Sequence, residues 1–190
     1  PLPLCVVGTG TVPGGTVTID ASGSSQFVSA LLLAAPRFES PLVLRHDAPG
    51  GVPSLPHVEM TLQVLRDAGV SAERAGEREW RVEPGPVAGL DVTVEPDLSN
   101  AGPFLAAAVV TGGTVSIPDW PAHTTQGGNH WRHILPSFGA HVAVRDGVFT
   151  VTGPDELQGV DLDLSEAGEL APTVAALCAL ASGPSRLRGI

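Results

Sequence analysis

With 190 residues, 43% of them hydrophobic and only 16% charged, the chain has the composition of a folded protein and not of a disordered one. Ten basic residues against 20 acidic ones leave a net charge of −10, which argues against nucleic acid or an anionic membrane as a partner. All ten bases are arginine, and the absence of Lys and Tyr excludes P-loop lysines, Schiff-base lysines and Tyr-Lys dehydrogenase pairs from within this chain. No apolar run reaches the length of a spanning helix. The opening Pro-Leu-Pro-Leu-Cys-Val-Val has neither an initiator Met nor the basic flank of a secretory signal. Cys5 and Cys178 are too few and too far apart for a disulfide framework or a zinc site. A reduced, cytoplasmic setting with no metal and no cofactor is the expectation.

Taken in chain order, apolar periodicity and turn residues predict a strand at 15–20, a helix at 24–35 and a strand at 41–46. A helix at 56–68 and strands at 70–75 and 79–83 follow. Val58, Leu62 and Leu65 share one face of that helix, Pro56 suits its first turn, and Gly69 suits the position just past its end. The second half predicts a strand at 90–95, a helix at 99–111, a strand at 114–118, a helix at 129–138 and strands at 141–145 and 148–152. It closes with a strand at 160–164, a helix at 169–181 and a strand at 185–190. Two βαβαββ units in succession imply an α/β architecture mixing parallel and antiparallel pairs, divided into residues 1–94 and 95–190.

The chain also repeats itself. Thr-Ile-Asp20-Ala-Ser-Gly-Ser24-Ser25-Gln26-Phe27 is echoed by Glu-Pro-Asp97-Leu-Ser-Asn-Ala-Gly-Pro-Phe104, and again from Asp163 by Leu-Ser-Glu-Ala-Gly-Glu169-Leu-Ala-Pro-Thr. Each copy is a β-type run ending in an acid, then small polar residues, then an Ala/Leu-rich helix. Ser24, Ser25 and Gln26 open the first of these helices, where unpaired N–H groups, the helix dipole and two hydroxyls suit a phosphate. On the residues alone, serine at that position reads first as a helix cap. Glu169 stands at the start of the last helix, where an acid also complements the dipole. Gly8-Thr9-Gly10 lacks the third glycine and the helix of a dinucleotide fingerprint. His130 and His133, three apart on a helix, read as a solvated face because no further His or Cys cluster supports a metal.

The run SSQFVSALLLAAP resembles the shikimate-3-phosphate-binding signature of the EPSP synthase (3-phosphoshikimate 1-carboxyvinyltransferase) family. The segments VPSLPHVEMTLQVLRDAGV, EPDLSNAGPFLAAAVVTGGTV and LSEAGELAPTVAALCALA resemble that family in the same order, most nearly its actinobacterial-type members. The resemblance implies the enolpyruvyl transferase fold, with this chain as the middle of such a protein and parts of its two domains. It implies transfer of the enolpyruvyl group of phosphoenolpyruvate to the 5-hydroxyl of shikimate 3-phosphate, with release of phosphate. Ser24, Ser25 and Ser54 match the serines that hold the phosphate of shikimate 3-phosphate, and Gln26 matches a residue lying between both substrates. Glu169 matches the acidic proton acceptor, which is often Asp. The stretch Ser54-Leu55-Pro56-His57 stands where Ser-Lys-Pro-Tyr is commoner, and Asn129 stands where members often carry Asp.

Four anionic groups meet in that reaction, since each substrate brings a phosphate and a carboxylate. Desolvating them requires converging cations, which a Lys-free chain of net charge −10 does not supply. The 190 residues alone are therefore expected to be inactive. Two other readings stay open: a UDP-N-acetylglucosamine enolpyruvyl transferase, which shares fold and chemistry, and a non-catalytic phosphate-binding module.

Overall fold

Thr16, Val17, Thr18 and Ile19 are β-branched, and in the computed structural model, which describes residues 3–190, they form β1 (Gly15–Ile19). The chain continues through α1 (Gln26–Ala34), a 3₁₀ turn (Ala35–Arg37), β2 (Leu42–His46), α2 (Leu55–Asp67), β3 (Ala72–Gly76) and β4 (Glu79–Val82). These strands form one sheet in the order β1-β2-β4-β3. β1 and β2 pair in parallel, while β4 runs antiparallel to both of its neighbours. The order of elements is the predicted βαβαββ.

Alternation along β2 decides which face is covered: Leu42, Leu44 and His46 are buried and Arg45 is exposed. Val28 and Leu32 of α1, Val58, Leu62 and Leu65 of α2, and Trp80 and Val82 of β4 complete the core of this first unit. Each of these large side chains contributes about 1.5–3 kcal/mol by leaving water. α2 has Pro56 in its first turn and ends at Gly69, whose φ of +79° costs glycine little, so both predicted boundary signals operate.

The second unit begins at Val92. It contains α3 (Gly102–Thr111), β5 (Thr114–Ile117), a 3₁₀ turn (Gly127–His130), α4 (Trp131–Ser137), β6 (His141–Arg145) and β7 (Val148–Thr152). After these come β8 (Asp161–Asp163), a 3₁₀ turn (Gly168–Leu170), α5 (Ala171–Leu180) and β9 (Arg186–Arg188). β5, β7 and β6 form an antiparallel sheet in that order, and β8 pairs with β9 in parallel. Asp146-Gly147 turns β6 into β7 with φ of 49° and 73°, the left-handed pair a tight hairpin requires. Leu105 and Val109 of α3, Trp131 and Leu135 of α4, Phe149 and Val151 of β7, and Val174 and Leu177 of α5 share its core. Trp120 stacks on Phe149 with ring centroids 4.0 Å apart.

One predicted element is absent. Residues 90–95 form no strand, and Val92 and Val94 are 68% and 87% exposed. Their alternation suits a strand, but β propensity is realised only against a neighbour. The end of the segment is held elsewhere: the Gln126 amide donates to Glu95 Oε1 and to the Pro96 carbonyl, both at 2.9 Å. The helix predicted at 129–138 is also different in detail, opening as the 3₁₀ turn of Gly127–His130 before α4. No helix among the described residues is long and apolar enough to cross a membrane.

Candidate active site

In the first unit, Asp20 follows β1 and builds the turn that leads to α1. Its Oδ1 accepts from the Ser22 N–H at 2.9 Å and from the Ser22 hydroxyl at 2.5 Å. These two bonds, the hydroxyl's first, hold the Asp20 carboxyl below the ordinary value of 3.8. Asp163 and Ser165 repeat the arrangement in the second unit, at 3.0 Å and 2.6 Å, with the same downward direction and the same leading cause. The acid at the end of each repeated strand is thus a turn-former.

Ser24 and Ser25 divide the work at the start of α1. Ser24 Oγ accepts from the Gln26 N–H at 3.1 Å, which is a local capping bond. Ser25 occupies the N-cap position in right-handed helical geometry, is 3% exposed, and makes no side-chain cap bond. The first-turn N–H groups, expected to be unpaired, are engaged: Phe27 donates to the Ser24 carbonyl, and Val28 and Ser29 donate to that of Ser25. Helical geometry already at Ser25 brings those carbonyls within reach. The groups left to meet a ligand are the serine hydroxyls and the exposed Gln26 side chain.

Ser54 heads α2 with φ of 50° and ψ of 48°, a left-handed conformation uncommon outside glycine, and makes no side-chain cap bond either. α2 packs beside α1, and the Thr61 hydroxyl donates to Ser29 Oγ at 2.8 Å across them. His57, one helical turn on from Ser54, donates its backbone N–H to the Ser54 carbonyl at 3.0 Å.

In the second unit, Glu169 lies in the 3₁₀ turn that opens α5, half-buried between the buried Ala167 and Leu170. Its carboxylate rests against Gly127, where a Cβ would collide with Oε1. Gly128 beside it fits against the Leu98 backbone with equally little room for a side chain. Gln126 fixes this loop by accepting from the Leu98 N–H at 2.9 Å, in addition to its bonds to Glu95 and Pro96. Trp131 Nε1 donates to the Leu98 carbonyl at 3.0 Å. Asn129 is spent structurally: its Oδ1 accepts from Trp120 Nε1 at 3.3 Å and from Arg132 Nε at 2.7 Å. His130 and His133 line a cleft with Asp163, Ser165 and Glu166.

Ser24, Ser25, Gln26 and Ser54 therefore fall on the starts of two neighbouring helices of the first unit, and Glu169 on a helix start of the second. Sequence reasoning missed Gly127, although the Gly127-Gly128 pair was visible, because the carboxylate that requires it is remote in sequence. It also missed His46, whose partners are backbone atoms.

Comparison with known proteins is consistent along the whole chain. The sequence matches the EPSP synthase (3-phosphoshikimate 1-carboxyvinyltransferase) family over residues 1–190. It is 88% identical over 189 residues to a 3-phosphoshikimate 1-carboxyvinyltransferase of Kocuria rhizophila, covering 100% of this chain and 42% of that relative. The chain thus spans less than half the length of that relative. Among solved structures, EPSP synthase from Acinetobacter baumannii superposes with a TM-score of 0.67 at 22% identity, over 93% of this chain and 40% of that one. The enolpyruvyl transferase NikO from Streptomyces tendae superposes with a TM-score of 0.65 at 24% identity, over 90% of this chain and 43% of that one. At these identities the two superpositions establish the α/β enolpyruvyl transferase fold, and the match over residues 1–190 establishes that the chain belongs to the EPSP synthase family.

Proposed function

We propose that this chain supplies part of the active site of a full-length enzyme that transfers the enolpyruvyl group of phosphoenolpyruvate to the 5-hydroxyl of shikimate 3-phosphate. The observation that carries the reading is the placement of Ser24-Ser25-Gln26 at the head of α1, with the Ser25 hydroxyl not consumed as a cap, in a chain 88% identical to a 3-phosphoshikimate 1-carboxyvinyltransferase. In this reading the hydroxyls of Ser24, Ser25 and Ser54 donate to the phosphate of shikimate 3-phosphate, and the Gln26 amide reaches between the two substrates. The two units belong to the enzyme's two domains. Both substrates are small, water-soluble phosphorylated acids, and the reaction belongs in the cytoplasm.

Glu169 takes the proton of the 5-hydroxyl as that oxygen bonds to C2 of phosphoenolpyruvate and the C2–C3 double bond takes up a separate proton, drawn from solvent, at C3. The adduct then loses a proton from C3 as the C2–phosphate bond breaks, so the products are the enolpyruvyl ether and inorganic phosphate. A carboxylate suits the first step because it is acceptor-only when ionised, and the missing side chain at Gly127 leaves the space in which it lies. With a net charge of −10 and no Lys, the chain leaves the neutralisation of the substrates to cations carried by other parts of the full-length enzyme. The names of the relatives favour this substrate over a nucleotide sugar.

The test is steady-state phosphate release by the full-length protein supplied with both substrates, beside the same assay on residues 1–190. Turnover by the full-length protein alone supports the reading. Turnover with UDP-N-acetylglucosamine in place of shikimate 3-phosphate, or by residues 1–190 unaided, contradicts it.

A further inference from the structure

We propose that His46 is a positioning residue that fixes the Ser24–Gln26 turn by accepting the Ala21 N–H, its ring oriented by the loop that leads to Ser54. The inference rests on the reading of those residues as the phosphate site. His46 closes β2 opposite Ile19, the last residue of β1, and is 4% exposed. Its Nδ1 accepts from the Ala21 N–H at 3.1 Å, and its Nε2 faces the Gly50 carbonyl at 3.3 Å. A backbone N–H only donates and a carbonyl only accepts, so the ring hydrogen sits on Nε2.

The ring is one link in a longer path. The Ala21 carbonyl accepts from the Ser24 N–H at 3.2 Å, and Ser24 Oγ accepts from Gln26. Bonds therefore run from Gly50 through His46 and Ala21 to Ser24 and Gln26. Beyond Gly50 the chain enters the left-handed Ser54 and then α2. Ala21 is fully buried, so without an acceptor at position 46 its N–H is left unsatisfied and the turn must move to recover one. Hydrogen bonds to a phosphate weaken steeply with such movement. No other side chain bonds to both segments among the described residues.

Two isosteres separate the two bonds. In His46→Asn a carboxamide oxygen replaces Nδ1 and can still accept from Ala21. In His46→Gln an amide N–H replaces Nε2 and reaches Gly50, but the acceptor for Ala21 is lost. His46→Leu removes both. Shikimate 3-phosphate is titrated calorimetrically into the full-length protein carrying each change, with melting temperature and the KM and kcat of turnover recorded. His46→Gln and His46→Leu are expected to weaken binding about tenfold, and His46→Asn to recover most of that loss. The defect should fall on KM for shikimate 3-phosphate more than on kcat. Equal affinity in the Asn and Gln variants overturns the inference, and that comparison stands even where the Leu variant fails to fold. Ser25→Ala, run beside them, separates the two levels: unchanged affinity there overturns the phosphate site itself. Weakened binding there with wild-type affinity in His46→Gln overturns the role of His46 alone.

Discussion

The carboxylate of Glu169 lies in the space that a Cβ on Gly127 would occupy. The loop around Gly127 is in turn pinned to Leu98 by Gln126, so a glycine and a glutamine remote in sequence shape the space in which the carboxylate lies. Gly127→Ala should therefore displace the Glu169 carboxylate, which as the end of a flexible side chain can move with little loss of stability. Thermal denaturation checks the stability, and a fall in kcat of the full-length enzyme measures the displacement. A variant with unchanged kcat would mean that the contact has no consequence.

Glu169→Gln keeps the shape but removes the basic oxygen. It is expected to lower kcat by a factor on the order of 10²–10⁴ while shikimate 3-phosphate still binds. Turnover near that of the parent would take Glu169 out of the proton-accepting role.

Ser25→Ala deletes a nearly buried hydroxyl that no cap uses. In the full-length enzyme it should raise KM for shikimate 3-phosphate by the equivalent of about 1–3 kcal/mol, with little change in the melting temperature of the first unit. A lowered melting temperature with KM unchanged would return Ser25 to a purely structural part.

The Asp20–Ser22 turn predicts a pH dependence. Because the Asp20 carboxyl sits below its ordinary value of 3.8 in the folded chain, its contribution to stability is complete above that value. It is lost as the pH falls through the depressed one. The stability advantage of wild type over Asp20→Asn should accordingly shrink on acidification below about 3.8. Melting curves at a series of pH values check this, and a difference independent of pH contradicts it.

The fold of the first unit could be read from its sequence because local and tertiary signals agree there. Pro56 and Gly69 bound a helix whose Val58, Leu62 and Leu65 face the core, and β2 alternates as a half-covered strand should. Residues 90–95 carry the same kind of alternation without a paired neighbour, and alternation alone does not make a strand. The site was legible only as a motif. A serine pair before a helix and an acid in a helical first turn are what ordinary capping also produces, so physics without the resemblance leaves both readings open. His46 gave no sign at all, since its role lies in the backbone atoms of Ala21 and Gly50 that folding brings to it.

A crystal structure of the full-length protein with shikimate 3-phosphate bound would test the assignment of the α1 turn most directly. Phosphate oxygens are expected within hydrogen-bonding distance of the Ser24 and Ser25 hydroxyls, with Ser54 completing the set. A phosphate bound away from the start of α1 would contradict it.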